Sequence, residues 1–233
     1  MKLDTAIDDL AFQKADRHVR VAARALARAG LVHAYGHCSV RLDAARFLVC
    51  AARPMGLIAV GESGVVVPVD GELPDGVLGE VRLHQQIYRA RPEIRAVART
   101  MPPKLMSLST LGLTPKARHG FGCYFAPGVP LWDDPQLIRS EAQARAVIET
   151  MGTASGVVMR GNGTVTAAGS LEELVVLTWY LEDAARVELD VLASGLDRTT
   201  GVVPVDAASQ RATRSGRIIE RMWEYLSAGD PEL

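Results

Sequence analysis

Residues 80–92 read Glu80-Val81-Arg82-Leu83-His84-Gln85-Gln86-Ile87-Tyr88-Arg89-Ala90-Arg91-Pro92. The spacing predicts a helix over residues 77–90, because Glu80, His84, Ile87 and Tyr88 recur at separations that bring side chains onto adjacent parts of one helix face. Pro92 ends it, having no N–H to continue the ladder. Glu80 and His84, one turn apart, have a spacing that metal ligands also use. A hydrogen-bonded core or interface histidine is the plainer reading of His84 and is preferred.

Upstream, residues 16–29 form an Ala- and Arg-rich helical pattern with Val19, Ala23, Leu26 and Ala27 on one face, and Gly30 stands where a C-cap belongs. The segment Gly36-His37-Cys38-Ser39-Val40-Arg41 follows, too polar for a plain core strand. Residues 47–51 and 65–69 read as strands, the second ending in the turn pair Asp70-Gly71. Downstream, a strand is expected over 94–98, closed by Pro102-Pro103, then a helix over 104–111. Strands are expected over 121–125 and 129–132, and Asp133-Asp134-Pro135 is expected to open a helix. A strand over 156–159 leads through the turn Arg160-Gly161-Asn162-Gly163-Thr164 to another over 165–168. Ser170 with Glu173 reads as a capping box for a helix reaching about residue 193. Residues 201–208 resemble a linker, and 214–226 is amphipathic, with Ile218, Ile219, Met222 and Tyr225 on its apolar face. Strands mixed with helices, without strict βαβ alternation, predict a three-layer α/β/α domain around a mixed, largely antiparallel sheet.

Composition narrows the function classes. With 26 Lys+Arg against 27 Asp+Glu in 233 residues, the formal net charge is -1, which argues against a general grip on nucleic acid or an anionic membrane. A hydrophobic content of 48% supplies a core. The three cysteines, Cys38, Cys50 and Cys123, form no C-x-x-C pair, so neither a zinc finger nor a disulfide framework is expected. The polar start Met1-Lys2-Leu3-Asp4 and the short apolar runs suggest no signal peptide or membrane span, and a cytoplasmic location is expected.

Four motifs in order resemble the class II aldolase/adducin family. Gly36-His37-Cys38-Ser39-Val40-Arg41 is similar to its Gly-Asn-x-Ser-x-Arg loop, most closely to the Gly-His-x-Ser-x-Arg form of a decarboxylase-like branch. Residues 80–92 are similar to its Glu-x-x-x-His-x-x-Ile-Tyr-x-x-Arg-Pro helix. Met159-Arg160-Gly161-Asn162-Gly163 resembles its Met-Arg-x-His-Gly turn, and Gly169-Ser170-Leu171-Glu172-Glu173 its Gly-x-Ser-x-Glu-Glu helix start. The resemblance spans about residues 16–195. It implies a class II aldolase-like domain over 1–200, with 201–233 as a C-terminal extension packing on the domain or on a neighbouring subunit. It also implies a homotetramer.

The resemblance further implies a divalent metal held by three histidines, two in a His-x-His pair and one in the Met-Arg-x-His-Gly turn. Those places here read Arg99-Thr100-Met101 and Asn162. An arginine is always protonated and a thioether suits hard cations poorly, so no metal and no other cofactor is expected. Two readings of Arg99 stay open: a fixed cation for a substrate anion, or a salt bridge to Glu80 filling a lost site.

The expected function is a metal-independent carbon–carbon lyase, of decarboxylase or aldolase type, acting on a small anionic substrate such as a carboxylated, hydroxylated ring or a keto acid. A related isomerase or cyclase, and a catalytically inert binding or scaffold member, are the alternatives. Glu80, Arg99 and His37 are the expected catalytic residues. Ser39, Arg41, His119, Asn162, Thr164 and Tyr225 are the expected substrate-binding residues, with Arg41 also read as a brace for its loop.

Overall fold

Alternation along β1 (His37–Arg41) sets the two faces of the sheet. Successive strand residues point to opposite sides, so Cys38 and Val40 face one way while His37, Ser39 and Arg41 face the other. A computed structural model describes residues 8–233; the polar start Met1-Lys2-Leu3-Asp4 lies outside the described residues. β1 is joined by β2 (Arg46–Val49), β3 (Val65–Pro68), β4 (Ala96–Thr100), β5 (Leu131–Trp132), β6 (Gly156–Met159) and β7 (Thr164–Ala168) in the order β3-β2-β1-β4-β7-β6-β5. Among the described residues only the β5–β6 pair is parallel. The sheet is therefore mixed and largely antiparallel.

Each face carries its own core. Cys38, Leu48, Ala96, Ala98 and Val158 pack under α1 (Asp9–Arg28), α3 (Pro103–Thr110) and α5 (Leu171–Ala193). Phe47, Val49, Val97, Val165 and Ala167 pack against α2 (Arg82–Ala90) and α4 (Glu141–Met151) through Leu83, Ile87, Val147 and Met151. The result is three layers. α6 (Val205–Arg211) follows α5, and α7 (Ile218–Ser227) lies against α1 and α5. Among the described residues, no helix is long and apolar enough to cross a membrane.

Several elements differ from the sequence expectations for identifiable reasons. The strand expected over 94–98 runs Ala96–Thr100, so Arg99 is a strand residue. The expected helix over 77–90 opens with a 3-10 turn, Gly79–Val81, and Glu80 sits in that turn. Residues 122–125 form a 3-10 turn instead of a strand, and Phe121 beside it stacks on Tyr180 with ring centroids 4.3 Å apart. No helix starts at Asp133: Asp133 pairs with Arg160, Asp134 accepts the Gln136 N–H, and α4 begins only after Ser140. There the Ser140 hydroxyl and the Gln143 side chain cap each other's backbone N–H. At the start of α5, Ser170 accepts the Glu173 N–H as expected, but the Glu173 carboxylate takes the Gly169 N–H. The linker-like stretch over 201–208 runs into α6, which begins at Val205 and extends to Arg211.

The C-terminal segment is clasped to α1 by charge. Arg20 and Arg24, one turn apart, meet Glu232 and Asp230: Arg24 donates to both Asp230 oxygens at 2.8 and 2.7 Å, and Arg20 reaches Glu232 at 2.7 Å and Asp16 at 2.6 Å. Burial works to raise the Asp230 carboxyl, but bonds from Arg24 and Arg28 outweigh it and hold it down to about 2. The bond from Arg20, opposed by burial and aided by Arg24, brings Glu232 to about 2 as well.

Candidate active site

Two glycines allow the loop before β1 and the β6–β7 turn to close on the end of β4. Gly36 has φ +145, and a Cβ there would lie 2.8 Å from Val32 Cγ1 and 3.0 Å from the Arg99 carbonyl oxygen. Gly163 has φ +80, and its Cβ would lie 2.1 Å from the Thr100 carbonyl oxygen. Only glycine fits so close a backbone approach at positive φ. In the resulting register His37 stands opposite Arg99, and Thr164 opposite Thr100.

A cleft of about 880 Å³ opens here. His37 comes to it from β1, Glu80 from the 3-10 turn, Arg99 and Met101 from β4 and the residue after it, and Asn162 from the β6–β7 turn. Arg99 is 3% exposed. Its Nη2 donates to Asn162 Oδ1 at 2.7 Å. Its Nε lies 3.0 Å from Glu80 Oε2, a charge contact whose angles do not make a hydrogen bond. Burial pushes the guanidinium pKa down and the Glu80 charge pushes it back up; an arginine in this position remains a cation. The Arg99–Glu80 pair is thus formed but not sealed, because both residues line the cleft.

Behind His37 runs a buried polar chain. His37 Nδ1 is 2.8 Å from His84 Nε2, His84 Nδ1 is 2.6 Å from Ser39 Oγ, and Ser39 Oγ is 2.9 Å from the Tyr88 hydroxyl. Burial, then the Arg99 charge, lowers His37 to about 3. Burial, then His37, lowers His84 well below its ordinary range. Both imidazoles are therefore neutral near pH 7.

The residues in this cleft do not fit a divalent metal. Arg99 offers only N–H donors and a positive charge where the resemblance places a ligand, and Asn162 Oδ1 is already occupied by Arg99. Met101 brings a thioether. Among the described residues, no three His, Cys, Asp or Glu side chains converge as a metal site would require.

Of the expected site residues, Glu80, Arg99, His37 and Asn162 meet in the cleft; the other five do not line it. Ser39 lies behind it, wholly buried in the polar chain. Arg41 donates to the carbonyls of Ile94, Tyr88 and Arg91, with its guanidinium over the Tyr88 ring, which is the bracing role. Thr164 gives its hydroxyl hydrogen to the Val157 carbonyl. His119 pairs with Asp183 at 2.8 Å, beside Phe121. Tyr225 is exposed on α7. The sequence reading did not single out Arg53, Arg82 and Arg139, which also line the cleft. They come from three separate segments with no common motif.

Residues 17–189 match the model of the class II aldolase and adducin N-terminal domain family. The chain is 31% identical over 198 residues to a 3,4-dihydroxyphthalate decarboxylase from Arthrobacter keyseri, covering 76% of this chain and 78% of that protein. An aldolase II superfamily protein from Pseudomonas syringae superposes with a TM-score of 0.75 at 21% identity, covering 92% of this chain and 91% of the other. L-fuculose 1-phosphate aldolase from Glaciozyma antarctica superposes with a TM-score of 0.71 at 19% identity, covering 97% and 94%. These two likenesses concern the fold; the family match and the decarboxylase relative go further, and the chain belongs to the class II aldolase and adducin family.

Proposed function

We propose that this protein is a carbon–carbon lyase that decarboxylates a small hydroxylated aromatic carboxylate, with the fixed Arg99 cation at the place where a metal would otherwise act. The similarity to 3,4-dihydroxyphthalate decarboxylases supports the reaction class. The observation that carries the reading is a set of buried polar atoms without a protein hydrogen-bond partner on three cleft residues: His37 Nε2, Arg99 Nε and Asn162 Nδ2. His37 Nε2 and Asn162 Nδ2 each cost roughly 1–3 kcal/mol unless a ligand answers them, while Arg99 Nε has the Glu80 carboxylate at 3.0 Å. An anionic, oxygen-rich ligand does so. Among the described residues the cleft is lined by Arg53, Arg82, Arg99 and Arg139 and by one carboxylate, Glu80, with Arg53 also paired to Glu62 at 3.2 Å; the remaining positive excess favours an anionic substrate.

The chemistry balances with these groups. The Glu80 carboxylate takes the proton of a ring hydroxyl ortho or para to the leaving carboxylate. The phenolate pushes electron density to the carbon bearing that carboxylate, and Glu80 returns the proton there. The C–C bond then breaks, its electron pair restores the aromatic ring, and carbon dioxide leaves. The phenolate takes one proton from water on release. Arg99 holds the negative charge throughout, as a nearly buried, preorganised cation.

Turnover assays with 3,4-dihydroxyphthalate and simpler hydroxybenzoates, following carbon dioxide release, test the reading. Release by the native protein, lowered by about 10²–10³ in Arg99→Ala and Glu80→Gln, is expected. Normal turnover by both variants, or none by the native protein on any hydroxylated aromatic carboxylate, overturns it.

A further inference from the structure

The polar chain behind the cleft has a direction. Two neutral imidazoles carry one N–H each, so either His84 Nε2–H donates to His37 Nδ1 or the reverse. In one arrangement Tyr88 donates to Ser39, Ser39 donates to His84 Nδ1, and His84 Nε2–H donates to His37 Nδ1. His37 then carries its own hydrogen on Nε2, an atom without a protein hydrogen-bond partner on a residue that lines the cleft. In the opposite arrangement every bond reverses, and the Tyr88 hydroxyl hydrogen needs an acceptor. Among the described residues Tyr88 Oη has Ser39 Oγ as its sole hydrogen-bond partner, and Tyr88 is 1% exposed. Burial pushes the phenol well above its ordinary range, so the hydroxyl keeps its hydrogen. A mixed arrangement, with Tyr88 and His84 both donating to Ser39, orphans the serine hydrogen instead. Each arrangement leaves one hydrogen without a protein acceptor: the first leaves it on His37, which lines the cleft, while the others leave it on Tyr88 or Ser39, which are buried behind the cleft and do not line it.

We propose that Tyr88, Ser39 and His84 hold His37 as its Nε2–H tautomer, making His37 a fixed neutral hydrogen-bond donor to a ligand oxyanion and not a proton acceptor. His84, Ser39 and Tyr88 act as positioning residues. The cleft atoms without a protein hydrogen bond are then all donors: His37 Nε2–H and Asn162 Nδ2–H, and Arg99 Nε–H, which meets the Glu80 carboxylate at 3.0 Å as a charge contact. Donors held beside a guanidinium favour a carboxylate or phenolate oxygen and disfavour an ammonium group. The groups that face His37 or line the same cleft keep this state. Arg99 stands opposite on β4, His84 comes from α2, and Arg53 (itself paired with Glu62), Arg82 and Arg139 add positive charge, while Glu80 is the one carboxylate lining the cleft among the described residues. The choice of anion rests on the function proposed above; the tautomer does not.

Nitrogen NMR of the full-length protein labelled with 15N-histidine tests the tautomer without substrate. The His37 signals, identified by their loss in His37→Gln, are expected to show a protonated Nε2 and an unprotonated Nδ1, unchanged between about pH 5 and pH 8. Ser39→Ala, which cuts the chain, is expected to give a mixture of His37 tautomers. A protonated Nδ1 in the native protein, a His37 that titrates in that range, or a folded Ser39→Ala that keeps a pure Nε2–H form overturns the proposal. Turnover supplies a second arm. Gln places an N–H near the position of Nε2, so His37→Gln is expected to keep kcat/KM within about tenfold of native, while His37→Leu loses about a hundredfold or more. Equal loss in both identifies His37 as a base and overturns the proposal. If the native protein decarboxylates nothing, the function reading fails while the NMR result still decides the tautomer.

Discussion

Arg99 Nη2 and Asn162 Oδ1 are bonded at 2.7 Å, across 63 residues of sequence. These are two of the three positions at which family resemblance places metal-binding histidines, and here they satisfy each other. The bond fixes which end of the Asn162 amide is which: the oxygen faces Arg99, and the NH₂ group is left for a ligand. A cation introduced beside this pair would meet a guanidinium at close range in a buried site, where repulsion between like charges is least screened.

Purified protein is therefore expected to hold less than one equivalent of any divalent metal by elemental analysis. Decarboxylation should survive prolonged treatment with a chelator and should not rise on adding manganese or zinc. Stoichiometric tightly bound metal, or activity abolished by chelator and restored by metal, would show that another set of side chains assembles a metal site.

Replacement of Gly163 by alanine is expected to cost about 3 kcal/mol or more of stability, because the added Cβ meets the Thr100 carbonyl at 2.1 Å in a backbone conformation that L residues avoid. Gly161 in the same turn also has positive φ (+65), but nothing lies within 4 Å of its Cβ position. Gly161→Ala should cost only about 1 kcal/mol. Denaturant midpoints of the two variants make the comparison; equal losses would show that strain alone, without the close approach to β4, governs the turn.

The clasp between α1 and the C-terminal segment predicts an acid limb. Asp230 and Glu232 have folded pKa values of about 2, below the ordinary carboxylate range. Their contribution to stability is present above about pH 4 and is lost as pH falls from there towards about 2. On this basis Asp230 contributes roughly 2 kcal/mol and Glu232 roughly 3 kcal/mol. Asp230→Asn should lower the melting temperature at pH 7 and flatten its decline between pH 4 and pH 2. A variant whose melting temperature keeps the native dependence on pH would show that the acid limb arises elsewhere.

Local patterns made much of the fold legible. The helix face of Ile87 and Tyr88, the stop at Pro92, the Ser170 cap and the β-branched strands are short-range signals, and each is realised. Errors arose where a tertiary role overrides the local signal. Arg99 reads as the polar end of an apolar strand, yet it stays in β4 because its side chain has the cleft to occupy. Phe121 and the residues after it have strand-like composition, but aromatic stacking on α5 coils them into a turn. Glu80, Arg99, His37 and Asn162 were traceable through motif positions. The link from His84 to Ser39 spans 45 residues and depends on α2 lying across β1, so spacing within one helix does not reveal it. Arg53, Arg82 and Arg139 gather only after folding.

The pairing of His37 with Arg99 across β1 and β4 ties the chemistry of this protein to its assembly. Side chains alternate along a strand, so a slip of one residue would carry His37 and Ser39 into the layer beneath α1 and α5 and bring Cys38 up in their place. An imidazole, a hydroxyl and possession of the wrong neighbours would then sit in an apolar interior. Such a chain would be cleared by its own instability before it could act as a flawed catalyst. Copies that reach the folded state therefore arrive with this part of the cleft already aligned, and quality control of the fold doubles as quality control of the site.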